Sequence, residues 1–123
     1  MRDEVRIIRG LLRQLQVSPL HRFPPSGGRL EAPIDQGVYL IFGPKGRLLH
    51  VGRTPRAKRG LAQRLRDHLN GASSFVIQYL NGRGQSLRRG YTYRYLVVRS
   101  RRKRAMLEAL AIGALCPAHI GLG

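Results

Sequence analysis

The chain has 123 residues and a mass of 13.9 kDa, which is enough for one domain with a modest core. Its 23 lysine and arginine residues outnumber the 6 aspartates and glutamates, and the net charge of +17 indicates a polyanionic partner, most often a nucleic acid. The single cysteine excludes an internal disulfide and a cysteine-rich zinc module, and no apolar stretch is long enough to predict a membrane span. Because Met1–Glu4 is no secretory signal, we expect a cytoplasmic location, at the nucleoid if the source is bacterial.

The basic residues are concentrated in the second, longer part of the chain. Residues 1–35 hold six basic and four acidic side chains, whereas residues 36–123 hold seventeen and two. We therefore divide the chain into an N-terminal helix with a Pro/Gly-rich loop over 1–35 and a nucleic-acid-facing domain over 36–123. Twenty of the basic residues are arginine, whose planar guanidinium suits phosphate, although a GC-rich genome would produce the same bias.

The first predicted element is a helix over residues 1–17. Acidic residues open it, and its apolar residues fall at helical spacing and form a stripe along one side. The stripe either pads the core or docks on a partner or a second copy, which makes this helix a candidate homodimer contact. The prolines and glycines of residues 18–36 predict a loop.

The following pattern predicts a small sheet and further helices. Apolar runs at 37–42 and 47–52 flank the turn signal Gly43–Gly46 and predict a β-hairpin, in which counting outward from the turn pairs Tyr39 with His50. Helices are predicted over 60–70 and 101–115, a helix is favoured over 74–80, and a third strand is predicted over 91–98. The expected fold class is α/β of the α+β kind, with an antiparallel sheet of at least three strands flanked by helices.

Glu108 is the only carboxylate after Asp67, and it lies inside an apolar helical run. If that helix packs on the sheet, the carboxylate is partly buried and needs a cation or hydrogen bonds. A Mg²⁺ ion held by one carboxylate, waters and a substrate phosphate would meet that need. The alternatives are a Glu108 that faces solvent or pairs with Arg104 one turn earlier.

Two further pairs of polar residues are candidates for chemistry. Arg64 and His68 are four residues apart on one helix face, where they either grip a phosphate and orient a proton or pack by their stems at the edge of the core. Tyr39 and His50 on paired strands either act together on water or form an ordinary cross-strand contact.

Together these residues resemble the GIY-YIG nuclease family. Gly37-Val38-Tyr39, ten residues and then His50-Val51-Gly52 are similar to its two signature tripeptides, which lie on paired strands. The family follows them with a helix carrying an Arg and a His, here Arg64 and His68, and with a later helix carrying one essential Glu, here Glu108. The resemblance covers about two-thirds of the chain, from Gly37 to the proline at position 117.

The resemblance implies metal-dependent hydrolysis of a phosphodiester bond in DNA. By carry-over, Tyr39 would be the general base or orient the water, Arg64 would hold the scissile phosphate, and His68 would assist from the same helix. Glu108 would ligate a single Mg²⁺ or Mn²⁺, and no small-molecule cofactor is implied. His50 stands where the family usually has Tyr, and we count it as catalytic because an imidazole accepts a proton near neutral pH. The alternatives are that His50 has itself become the base or that the site has lost its activity.

The segment after Glu108 both matches the family and departs from it. Pro117 stands where the family often has a proline. The Asn that often follows has no clear equivalent, since residues 118–120 read Ala-His-Ile.

The remaining basic residues form two clusters that we expect to contact phosphate. Four cations at the start of the last helix oppose its dipole, so a stabilising role is not expected for them. The two clusters comprise Arg53, Arg56, Lys58 and Arg59, and Arg101, Arg102, Lys103 and Arg104. The alternative function is a non-catalytic basic domain on the same fold that binds DNA or RNA without needing a metal.

Overall fold

The computed structural model describes residues 2–54 and 59–121. Its helices are α1 (Arg2–Val17), α2 (Gly60–Leu69), α3 (Ser74–Tyr79) and α4 (Arg101–Leu115). Its strands are β1 (His21–Arg22), β2 (Gly37–Phe42), β3 (Leu48–Arg53) and β4 (Thr92–Val97), and a 3₁₀ helix (Gly84–Arg88) precedes β4. None of the helices in these ranges is long and apolar enough to span a membrane.

The described residues form one four-stranded antiparallel sheet in the order β1-β4-β2-β3, which confirms the expected fold class. The additional strand, β1, lies in the segment predicted to be a loop. A strand of two residues has no periodicity that a sequence pattern would show. The His21 ring stacks on Tyr93 of β4 with 5.3 Å between ring centroids, which ties this N-terminal segment to the sheet.

The predicted pairing within the hairpin is wrong by two positions. Tyr39 lies opposite Gly52, and His50 lies opposite Ile41. One position comes from the turn, because Phe42 lies opposite Leu48 and not Arg47, and the other comes from a β-bulge between Ile41 and Phe42. Because the displacement is an even number of residues, Tyr39 and His50 still face the same side of the sheet, as diagonal neighbours.

The sheet separates two apolar cores, because side chains alternate along β2. Val38 and Leu40 pack in the core beneath α1 and α4, whereas Tyr39 and Ile41 pack in the core beneath α2 and α3. Leu15 of α1 is fully buried in the first of these cores. The apolar stripe of α1 therefore pads the core, which was one of the two alternatives for it.

The basic first turn of α4 is held by specific contacts. Arg102 makes two hydrogen bonds to Glu4 of α1, at 2.8 and 2.9 Å. Arg104 is buried and donates to the carbonyl oxygens of Thr54 and Val98, at 3.1 and 3.0 Å. The expectation that these cations have no stabilising role is wrong for Arg102 and Arg104, because a carboxylate and buried carbonyl acceptors offset the unfavourable helix dipole.

Candidate active site

A cavity of about 240 Å³ opens beside β3, at the edge of the sheet where the α2 layer and the α4 layer meet. Side chains from β2, β3, α2, α4 and the segment after α4 line it. The predicted catalytic residues among them are Tyr39, His50, Arg64 and Glu108, and the predicted phosphate-binding residue Arg53 lines the cavity too. The remaining one, His68, is fully buried and contacts Tyr39.

Tyr39 reaches the cavity from the central strand because the residue opposite it has no side chain. A Cβ atom at Gly52 would lie 2.2 Å from the Tyr39 hydroxyl oxygen, so only glycine lets the phenol lie across β3. The hydroxyl is hydrogen-bonded to Nε2 of His68 over 2.7 Å, and Nδ1 of His68 is 2.6 Å from the Ser73 hydroxyl. Ser73 in turn accepts the Val76 backbone N–H as the cap of α3. A hydrogen-bonded chain therefore runs from the cavity to the start of α3.

Burial sets the protonation of this chain. It raises the pKa of Tyr39 to about 12, against the opposing effect of the Arg64 guanidinium. Burial also lowers the pKa of His68 well below its usual value, and His50 and Arg64 lower it further. At neutral pH the phenol is protonated and the His68 ring is uncharged. A proton therefore moves from Tyr39 to His68 only when the charge in the cavity changes.

Arg64 brings a guanidinium to the cavity from α2, one turn before His68. Its Nε atom is buried and has no hydrogen-bond partner among the residues that the structure describes. A buried donor without a partner costs free energy unless a ligand satisfies it. A phosphate oxygen is the acceptor that a guanidinium fork fits best.

Glu108 lies on the opposite wall of the cavity, with its side chain 25% exposed. The Nε atom of Arg53 on β3 is 3.4 Å from its Oε1. Burial raises the pKa of Glu108, and the charges of Arg53 and Arg64 oppose this effect. The alternative in which Glu108 pairs with Arg104 is wrong, because Arg104 points to backbone carbonyls in the interior.

His50 belongs to a second polar chain that reaches the cavity from the other side. Its ring stacks on Phe75 with 4.7 Å between centroids, and its Nδ1 is 3.3 Å from Nδ1 of His119. Nε2 of His119 is 2.8 Å from the amide oxygen of Gln78. Burial lowers the pKa of His50 to about 3, with a further lowering by His119 and Arg64.

With the Gln78 amide oxygen facing His119, these contacts favour one tautomer for each ring. The Gln78 amide oxygen can only accept, so His119 donates through Nε2, and Nδ1 of the neutral ring is left as an acceptor. His50 therefore donates its Nδ1–H to His119, and its own Nε2 keeps a lone pair. The site thus contains an uncharged imidazole nitrogen that can accept a hydrogen bond.

No protein-family model matches the chain, and no curated protein matches it. Among solved structures, the GIY-YIG N-terminal endonuclease domain of UvrC from Thermotoga maritima, bound to its catalytic magnesium, is 32% identical with a TM-score of 0.53. The match covers 75% of this chain and 90% of that one. The chain belongs to the GIY-YIG family.

Point variants of the same Thermotoga maritima domain match similarly. A Tyr-to-Phe variant is 29% identical with a TM-score of 0.54, covering 75% of this chain and 90% of that chain. An Asn-to-Ala variant is 32% identical with a TM-score of 0.52, covering 75% and 89%. Both were solved bound to the catalytic divalent cation of that domain. The family and the fold implied by the resemblance are therefore confirmed. The residues that carried it were the two tripeptides, Arg64 and His68 of α2, and Glu108.

Several GIY-YIG site residues of this chain were missed by sequence reasoning. His119 lines the cavity, but it was not assigned because residues 118–120 offered no clear equivalent of the family's Asn. Ser73 precedes an apolar run, as helix-capping residues do, and that pattern would have found it. Gln78 and Phe75 lie in an ordinary helical segment, and nothing in their spacing marks them as neighbours of His50.

The predicted nucleic-acid-binding residues separate into four groups. Arg53, Arg101 and Arg102 line a groove of about 750 Å³ beside the GIY-YIG cavity, whereas Arg59 lies on the far side of α2. Lys103 is half-buried and is not among the residues that line this groove, and Arg104 lines the groove but has its guanidinium on interior carbonyls. Arg56 and Lys58 lie outside the residues that the structure describes.

The donor set of the cavity fits a hard divalent cation held mainly by water and substrate. Within residues 2–54 and 59–121, no group of three or more His, Cys, Asp or Glu side chains is arranged to hold a metal. Glu108 is a half-buried carboxylate at the cavity wall, and one carboxylate with waters and a substrate phosphate is a common way of binding Mg²⁺. Glu108 is therefore the residue that would hold the ion.

Proposed function

We propose that this protein is a metal-dependent DNA endonuclease that hydrolyses phosphodiester bonds. The observation that carries the proposal is the convergence of Tyr39, Arg64 and Glu108, from three separate elements, on one cavity. The unpartnered buried Nε of Arg64 supports it, because that atom is placed for an anion. The magnesium-bound GIY-YIG endonuclease domain of Thermotoga maritima supports the choice of a divalent cation.

Arg64 holds the scissile phosphate in this proposal. The phosphate gains negative charge as water attacks, so a fixed guanidinium in a partly water-excluded cavity stabilises the transition state more than the ground state. Because Arg64 and His68 are one turn apart on α2, binding the phosphate also places it beside the Tyr39 hydroxyl.

Tyr39 and His68 accept the proton of the attacking water. The Tyr39 oxygen takes a proton from the water as its own proton passes to Nε2 of His68, so the positive charge forms on the His68 ring. Burial and the neighbouring Arg64 lower the pKa of His68, so this transfer needs the negative charge of the phosphate bound at Arg64 to offset them. This requires the His68 tautomer that donates Nδ1–H to the Ser73 hydroxyl oxygen, which is within hydrogen-bond distance. Nε2 of His50 accepts a second hydrogen bond and orients the water.

Glu108 holds the cation, with Mg²⁺ or Mn²⁺ as candidates. When bound, the ion would neutralise charge on the phosphate and on the leaving 3′ oxygen. The carboxylate has to be ionised for this role, and Arg53 and Arg64 favour the ionised form.

The test is cleavage of supercoiled plasmid with Mg²⁺ or with EDTA. The wild-type protein and Glu31→Gln, which removes an exposed carboxylate far from the cavity, are expected to cut only with Mg²⁺. Glu108→Gln is expected to bind the plasmid without cutting it, and thermal unfolding of each variant checks its fold. A wild-type protein that shifts the plasmid on a gel, ignores EDTA and never cuts would overturn the proposal in favour of a non-catalytic nucleic-acid-binding domain.

A further inference from the structure

α2 forms a ridge with the candidate active site on one side and a second groove on the other. This groove, the α2 groove, has a volume of about 640 Å³ and shares no lining residue with the catalytic cavity. Arg64 and Arg66 show the division, because residues two apart on a helix point about 200° apart. Arg64 lines the catalytic cavity, and Arg66 lines the α2 groove.

The α2 groove combines an apolar floor with a cationic rim. Leu30, Ala32 and Ile34 supply apolar surface, and Arg29, Arg59 and Arg66 are exposed at the rim. No side chain of these three arginines makes an ion pair or hydrogen bond within the part of the chain that the structure describes. Three guanidinium groups are therefore free to bind an anion.

One wall of the α2 groove is held in place before any ligand arrives. The Arg88 guanidinium donates to the carbonyl oxygens of Pro24 and Pro25, at 2.8 and 3.2 Å. Gly28 closes this turn by donating its N–H to Pro25 over 2.8 Å, and a Cβ at Gly28 would lie 2.9 Å from Pro24 Cβ. Arg29 thus projects from a fixed turn, which lowers the entropy lost on binding.

We propose that the α2 groove binds the sugar–phosphate backbone of the DNA that the active site cuts, an inference that rests on the proposed function. Guanidinium groups suit phosphates, and an apolar floor suits the deoxyribose between them. DNA then crosses the α2 ridge and contacts the protein on both sides of it. Such contacts fix the register of the DNA without reading its bases.

The test compares two triple variants with equal loss of charge. One is Arg29→Gln with Arg59→Gln and Arg66→Gln in the groove, and the control is Arg6→Gln with Arg9→Gln and Arg13→Gln on the exposed face of α1. Binding of a labelled DNA duplex in EDTA is measured by fluorescence anisotropy across a range of salt concentrations. The groove variant is expected to lower the slope of log affinity against log salt by about two to three, with the control close to wild type.

Two other results would each overturn the proposal. Equal losses in the two variants would show a general effect of net charge, and a groove variant that binds like wild type would show that DNA does not enter the groove. Thermal unfolding confirms that both variants are folded. Because binding is measured in EDTA, the result stands whether or not the plasmid assay detects cleavage, so failure of the endonuclease proposal is distinguishable from failure of this one.

Discussion

The Tyr39 hydroxyl belongs to the candidate active site, and its partner is Nε2 of His68 at 2.7 Å. We expect Tyr39→Phe to lower the single-turnover cleavage rate by about 10²–10⁴, the usual contribution of a general base. DNA binding should change little, because the phosphate contacts remain. Tyr93→Phe is the matched control, since it removes another buried phenol, hydrogen-bonded to the Glu31 carbonyl outside the site. An unchanged rate in Tyr39→Phe would exclude the proton-accepting role.

Two buried neutral rings, His50 and His68, make folding sensitive to acid. Burial lowers the pKa of His50 to about 3 and the pKa of His68 well below its usual value. The groups that face them, namely Tyr39, Arg64 and His119, supply no negative charge that would hold a proton there. Unfolded histidine has a pKa of about 6.5, so the unfolded chain binds protons that the folded chain does not, and stability is lost as the pH falls below that value towards 3.

The measurement is the free energy of urea unfolding between pH 8 and pH 4. His50→Gln is expected to reduce the slope against pH by about 1.4 kcal/mol per pH unit in the steepest region, which corresponds to one proton. Identical slopes in the variant and the wild type would show that His50 is protonated in the folded state.

At the scale of elements, α1 is part of the core even though it lies outside the family signature. Leu15, on the inner face of α1, is 0% exposed, whereas Val17 at the end of the same helix is 80% exposed. Leu15→Ala is expected to lower the free energy of unfolding by about 2–5 kcal/mol because it leaves a cavity. Val17→Ala should stay within about 0.5 kcal/mol of wild type. Similar urea midpoints for the two variants would mean that α1 does not fold with the sheet.

The elements show where sequence reasoning succeeds. Each predicted helix and strand begins and ends within one residue of the observed one, because turn signals and apolar spacing mark boundaries that are local in sequence. The hairpin register failed because the turn places Phe42 opposite Leu48 and a bulge follows Ile41, and neither feature has a local mark in the sequence. His119 and Gln78 were missed for a similar reason, since only the tertiary fold brings α3 and the C-terminal segment to His50.

At the scale of the whole molecule, one cavity implies cleavage of one strand at a time. We expect supercoiled plasmid to become nicked circles first, with linear DNA appearing later and only from the nicked form. A time course on a gel distinguishes this order from direct linearisation. Linear DNA formed without a nicked precursor would instead require two copies of the chain to act together, and the exposed face of α1 would become the first surface to test.

Because Gly52 has no side chain, the residue types at positions 39 and 52 depend on each other. The phenol of Tyr39 occupies the space that a Cβ at Gly52 would need. A related chain that had lost the phenol would no longer be constrained to glycine there, so larger residues would accumulate at that position. The identity of this one residue is therefore a test, readable from sequence alone, of whether a relative of this protein has kept its tyrosine in the cavity of the candidate active site.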